Sequence, residues 1–198
     1  MQLSEMIAFT AFAWIGSFTP GPNVAIAAST GVNHGLRAAM PHVVGVPLGF
    51  VVLMWLVGLG GAVILQGQPT LLMLMKIAGN GYLLYLAWKL CFSHQLSGAD
   101  VLPPFTLLQS MVFQLINPKA WMMLVAATST YAIGHEDYLV RLGWMSLGFA
   151  LPSALSLFGW AWAGQTLRHW LMLGKRLRIF NIVMGLSLAA TAVWMFSQ

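Results

Sequence analysis

Thr19-Pro20-Gly21-Pro22-Asn23 interrupts an apolar stretch of this chain, and Asn117-Pro118-Lys119 interrupts another, with Pro118 lying 96 positions after Pro22. Proline in a helix removes an amide donor and clashes with the carbonyl four residues earlier. Pro20 and Pro22 are therefore expected to free the carbonyls of Gly16 and Phe18, and Pro118 that of Gln114. In hydrocarbon an unsatisfied carbonyl costs several kcal/mol, so two such breaks imply a cavity where protein, water or a ligand satisfies them. Each break leads into a run of small residues, Ala25-Ile26-Ala27-Ala28-Ser29-Thr30 in one case and Ala126-Ala127-Thr128-Ser129-Thr130 in the other. The start of each half-helix would offer amides and a positive dipole end to a carboxylate. Freed carbonyls would accept hydrogen bonds from an ammonium, so one site could hold both ends of a zwitterion.

Outward from these breaks the chain reads as six apolar runs, at about 5–29, 40–65, 70–92, 107–130, 139–163 and 178–197. Of its 198 residues 59% are hydrophobic and 7% charged, where soluble domains carry about 25% charged residues. The mean hydropathy is +0.80. A water-soluble globule is excluded, and the chain reads as an integral membrane protein. A spanning helix takes about 20 residues, so six leave only about 78 for joints and tails and no room for a soluble domain. Open sheets leave unpaired backbone in lipid, and a barrel would show short alternating segments. The expected fold is all-α, a single transmembrane domain over 1–198 with repeat 1 at about 1–95 and repeat 2 at about 105–198. Leu48-Gly49-Phe50 recurs as Leu147-Gly148-Phe149, in line with the paired breaks in spans 1 and 4. Three spans per half is an odd number, so the repeats must be inverted, as in many secondary transporters.

The charges mark topology. Arg37, Lys89, Arg168, Lys175, Arg176 and Arg178 fall in or beside the first, third and fifth connections (30–40, 93–106, 164–178), against Lys76 and Arg141 on the other side. By the positive-inside rule those three connections face the cytoplasm and both termini lie outside. Residues 1–19 contain Glu5 and no Lys or Arg, unlike a cleavable signal, so the first apolar run is expected to remain as a span. The basic residues sit where apolar runs end and form no basic face with aromatic platforms, which argues against nucleic acid as a partner. The single Cys91 forms no internal disulfide, and there is no zinc spacing.

Lys119 is the sharpest single residue. Counted from 107 it lies about 12 residues, or about 18 Å, into the membrane, where a lysine costs at least about 2.5 kcal/mol. A carboxylate contact or a proton-exchanging ammonium would justify that cost; a snorkelling lysine at a later span start is the structural alternative. Asn23 and Asn117 can cap the half-helices that follow them and also touch a ligand. Gly45 and Gly49 form a GxxxG pair that admits a neighbouring helix closely. Histidines 34, 42, 94, 135 and 169 share no i, i+4 spacing and most lie near connections, so no metal site is expected. An intramembrane enzyme would need paired aspartates, a Ser/His pair or HExxH, and neither a mid-membrane Asp nor HExxH is present.

These residues resemble the LysE/RhtB family of amino-acid exporters. Thr19-Pro20-Gly21-Pro22-Asn23 is similar to the family's first-span signature and Asn117-Pro118-Lys119-Ala120 to its fourth-span motif. Gly35-Leu36-Arg37-Ala38-Ala39, Gly45-Val46-Pro47-Leu48-Gly49, Gly79 with Tyr82-Leu83, and Asn181 with Gly185 resemble its lesser marks, so the likeness covers essentially the whole chain. The resemblance implies export of small amino acids across a bacterial inner membrane in exchange for protons, without a cofactor, and in some cases as a homodimer. Some members carry an acidic residue after the span 2 glycine pair, where this chain has Phe50. Without it, a cationic substrate would have nothing to offset its second charge, so neutral amino acids are expected. Thr19, Pro20, Gly21, Pro22, Asn23, Gln114, Asn117, Pro118 and Lys119 form the expected substrate site. Divalent metal or another small metabolite is the alternative cargo, and an enzyme is the rival class.

Overall fold

The structure, a computed structural model, describes residues 2–19, 21–61, 67–92, 103–171 and 173–196. Among these residues the chain is helical and no strand occurs. The helices are α1 (Leu3–Phe18), α2 (Pro22–His34), α3 (Leu36–Leu56), α4 (Pro69–Phe92), α5 (Leu107–Ile116), α6 (Pro118–Tyr131), α7 (Tyr138–Leu171) and α8 (Arg176–Phe196). A short π-helical turn, Val57–Gly61, continues α3. The stretches Leu36–Gly61, Tyr138–Leu171 and Arg176–Trp194 are each long and apolar enough to cross a bilayer.

Both expected breaks are present. α1 ends where Thr19 turns extended, its amide and hydroxyl both bonding the Ile15 carbonyl at 2.9 and 2.6 Å. α2 then starts with Pro22 in its first turn, where a missing amide costs nothing. α5 stops at Asn117 and α6 starts at Pro118 by the same logic. Pro41, Pro47 and Pro152, by contrast, sit inside continuous helices.

The connections are shorter than the sequence implies. Gly35 alone, at φ 86°, separates α2 from α3 where a connection over 30–40 is expected, because a left-handed glycine ends one helix and lets the next begin at once. α7 likewise runs to Leu171 rather than 163. Its 34 residues reach about 51 Å, so both ends project beyond a hydrocarbon core of about 30 Å. Arg141 and Arg168, near those ends, lie about 40 Å apart along the axis, close to the full bilayer thickness. Residues 93–102 of the third connection lie outside the described residues.

Packing depends on close backbone approach. α7 lies against both α2 and α3, α5 lies against α3, and α4 pairs with α8. A side chain on Gly31 would overlap the Ala161 backbone, and one on Gly164 would overlap the Ala28 carbonyl, so α2 and α7 touch main chain to main chain. The Gly45 and Gly49 pair receives α5 at Leu107, Ser110, Met111 and Gln114, the close approach expected of it. Phe149 of α7 meets Phe9, Phe12 and Phe50 edge to face, tying α1 and α3 to α7. The outer surface carries Ile7, Trp14, Val52, Trp88, Leu147, Trp162, Leu186 and many other exposed apolar side chains, as a lipid solvent requires.

At the end of the molecule that holds the N-terminus, Arg141 binds Glu5 (3.1 Å), Asp137 (2.6 Å) and the Tyr131 carbonyl (3.0 Å), with His135 3.7 Å from Glu5. This clamp joins α1, the turn after α6, and α7. The hydrogen bond from Arg141 holds the Asp137 carboxyl below its ordinary range. Its stabilisation is complete above the unfolded value of about 3.9 and is lost as pH falls through the lower folded value. Asp137→Asn is therefore expected to melt several degrees below wild type in detergent at neutral pH. That gap should begin to narrow at about pH 4 and close only as the pH falls past the lower folded value; one that stays open in strong acid would show that the pair does not hold the turn.

Candidate functional site

The two breaks face each other. Lys119, two residues into the register of α6, reaches across and donates from Nζ to the Thr19 carbonyl at 2.9 Å. Gly21 makes room for it, since a Cβ there would lie 3.1 Å from Nζ and 3.2 Å from Cδ. Asn117 caps α6, its Oδ1 accepting from the Lys119 amide at 3.2 Å and its carbonyl accepting from the amides of Ala120 and Trp121. α2 has no such cap, because its N-cap residue is Gly21.

The orphaned carbonyls find partners that sequence alone does not indicate. The Gln114 carbonyl, expected to be free, accepts the Asn117 amide at 3.3 Å as α5 closes its last turn. The Leu115 carbonyl accepts Trp121 Nε1 at 2.8 Å. On the first break the Ser17 carbonyl accepts the Ser156 hydroxyl of α7 at 2.9 Å.

A chain of amide side chains links the breaks. Asn23 donates to Gln114 Oε1 at 2.9 Å and accepts from Gln114 Nε2 at 3.2 Å. Asn117 donates to the same Oε1 at 3.1 Å, and Gln114 Nε2 also reaches the Ser110 carbonyl at 2.8 Å. Behind Asn23 stands His42, fully buried, with Nε2 3.2 Å from the Asn23 carbonyl and Nδ1 2.9 Å from Ser110 Oγ.

Between the breaks lies a narrow pocket. Thr19, Gly21, Pro22, Asn23, Asn117 and Lys119 of the expected site line it, together with Ser17, Val46, Phe50, Met123, Ser153 and Leu157. Gln114 stands behind its wall, holding Asn23 and Asn117, and the Pro118 ring lies beside Gly79 of α4. Pro20 lies outside the described residues. An open groove shares Gly16, Thr19 and Lys119 with the pocket and continues along Phe12, Met122, Ala126, Thr191 and Trp194. His42, Ser110 and Ser156 are the features that sequence reasoning missed. For His42 a signal existed, a histidine inside an apolar run, but a run starting at 40 placed it at the edge of a span. The helix starts at Leu36, which puts it deeper.

A half-buried ammonium, an uncapped helix start and a ring of amides suit a molecule carrying both charges. They offer no activated nucleophile. The LysE type translocator profile matches residues 14–198. The chain belongs to the LysE type translocator family. It is 31% identical over 200 residues to the cysteine/O-acetylserine efflux proteins of Escherichia coli and Shigella sonnei, covering 99% of this chain and all of theirs. No solved structure matches it. As a LysE type translocator it is a membrane transporter rather than an enzyme.

Proposed function

We propose that this protein exports small neutral amino acids, O-acetylserine and cysteine among them, from the bacterial cytoplasm across the inner membrane in exchange for protons. The observation that carries this is Lys119 Nζ on the Thr19 carbonyl across a pocket framed by two facing helix breaks. A substrate carboxylate would take over Nζ and the start of α2, while the oxygens of Asn23 and Asn117 would receive its amino group. Phe50, at the position acidic in some relatives, lines the pocket beside Val46 and Leu157. A second positive charge would find no counter-charge there, whereas a short, weakly polar side chain would pack against these walls and reach Ser17 or Ser153.

Read as two inverted repeats of three spans, the helices would work by alternating access. Spans 1 and 4 in this reading are α1 with α2 and α5 with α6, each broken at its proline motif. α3 packs on its counterpart α7, and α4 on α8. α1 meets the first half of α7 through Phe9 and Gly148, and α5 meets the middle of α3 through Gly45 and Gly49. With both termini outside, the groove past Phe12 and Trp194 opens outward, and the layer of Asn23, Gln114, Ser110 and His42 closes the cytoplasmic side.

The test is efflux. Cells lacking their own exporters are loaded with mixed dipeptides, and every amino acid in the medium is quantified with and without the protein and a protonophore. Faster release of one or a few neutral amino acids, lost with protonophore, is the expected result. Absence of any gain, from cells shown to hold the protein in the membrane, would overturn the amino-acid reading.

A further inference from the structure

Exchange for protons needs a group that holds one, and among the described residues no aspartate or glutamate lies in the layer around the pocket. We propose that His42 is the proton carrier of this transporter, its imidazole binding the counter-transported proton in competition with the substrate's ammonium. This rests on the proton-exchange reading above.

The hydrogen bonds around the ring accommodate both protonation states without moving a heavy atom. The Asn23 carbonyl only accepts, so Nε2 must carry a hydrogen in either state. In the neutral ring Nδ1 then accepts from the Ser110 hydroxyl, 2.9 Å away. When a proton binds, Nδ1 donates to Ser110 Oγ instead, and the Ser110 hydrogen turns to the Thr106 carbonyl, which also stands 2.9 Å from that oxygen. Ser110 thus switches between two acceptors as the proton arrives and leaves. A histidine kept only for packing would not need a hydroxyl with two alternative acceptors at its second nitrogen.

The same ring is wired to the pocket. Asn23 presents its carbonyl to His42 and its side chain to Gln114, which in turn holds Asn117. A substrate ammonium seated on the Asn23 and Asn117 oxygens and an imidazolium on the Asn23 carbonyl would repel each other strongly in a site of low dielectric. Proton and substrate therefore exclude one another, which is the condition for antiport. One neutral zwitterion leaves for each proton entering, so the cycle carries one positive charge inward.

Few other titratable groups face the ring. On α3 there is Arg37, exposed, and at the end of α2 His34, also exposed. α5 and residues 103–106 contribute no titratable side chain; Phe105 from that segment lies edge to face on the imidazole at 5.6 Å. α4 contributes Tyr82, whose ring packs on Phe105 and Phe113, with Lys76 and Lys89 further along it. α6 contributes Lys119, engaged by Thr19.

The test uses the purified full chain in liposomes, with a mixture of labelled neutral amino acids that includes O-acetyl-L-serine. Wild type is expected to accumulate label against its gradient when a proton gradient is imposed, and to exchange internal for external label without one. His42→Gln should lose the gradient-driven accumulation, and whatever exchange it retains should no longer vary with pH, whereas wild-type exchange should fall as the pH is lowered. Driven accumulation that survives in His42→Gln would overturn the proposal and leave the exporter reading intact. Wild-type exchange that no proton gradient drives would overturn it as well. Wild type that neither exchanges nor accumulates any amino acid would sink the exporter reading itself, and this inference with it. Because His42→Gln could also misfold, nitrogen-15 NMR of wild type with labelled histidine supplies a second readout. The His42 Nδ1 signal should pass from protonated to unprotonated when the amino-acid mixture is added at mildly acidic pH. A signal unchanged by both the mixture and pH would rule the ring out as carrier.

Discussion

Lys119→Ala is expected to bring efflux down to the level of cells without the protein, a loss of more than tenfold, while the variant reaches the membrane in wild-type amounts and melts no lower. Two opposing terms set the stability side. Removing a half-buried lysine relieves part of the desolvation cost of its ammonium. The Thr19 carbonyl loses the Nζ donor, at about 1–3 kcal/mol if it stayed dry, but it opens onto the pocket and groove where water can replace Nζ. The sum is near zero or favourable. On the transport side nothing else positive among the described residues lines the pocket, so the carboxylate loses its counter-charge. Lys119→Arg should rescue poorly, because Gly21 already lies close along the lysine stem and leaves no room for a planar fork. Efflux from cells, paired with thermal melts of the purified variants, reads both quantities. Full transport by Lys119→Ala would remove Lys119 from the mechanism.

The breaks and Lys119 were legible in the sequence because proline acts locally: it removes a donor wherever the chain places it, and the consequence falls four residues back. What occupies the exposed groups was not legible, because it is decided by tertiary contact. Ser156 reaches the Ser17 carbonyl from 139 residues away, and no periodicity connects those positions. The Gln114 carbonyl illustrates the opposite failure. Local geometry took it back, since α5 tightens its last turn onto the Asn117 amide instead of leaving the group for a ligand. His42 was missed through a boundary. A single left-handed Gly35 replaced the connection that composition suggested, and the helix that follows carried the histidine from the edge of a span into the protein interior.

Gly31→Ala and Gly164→Ala are expected to cost both folding and transport, unlike any change at Lys119. A Cβ on Gly31 would sit 2.8 Å from the Ala161 carbonyl carbon, and one on Gly164 would press the Ala28 carbonyl and lie 3.1 Å from the Val32 amide nitrogen. These neighbours are backbone inside helices and cannot turn aside, so α2 must move off α7. Overpacking of this kind costs about 1–3 kcal/mol, which for a chain of this size lowers the melting temperature by roughly 2–12 °C. The pair should cost less than the sum of its singles, because one displacement of α2 relieves both overlaps. Gly81, Gly143 and Gly159 serve as controls: each is helical with open space at its Cβ, and alanine there should leave stability unchanged or raise it by up to about 1 kcal/mol. Transport should fall with the Gly31 and Gly164 variants because α2 carries Asn23 into the pocket and onto His42. If α2 is locked to α7 in this way, the two move as one body. In the alternating-access cycle proposed above, the rocking that exposes the pocket would then occur across the groove between α1, α6 and α8, where side chains leave space instead of interlocking backbones.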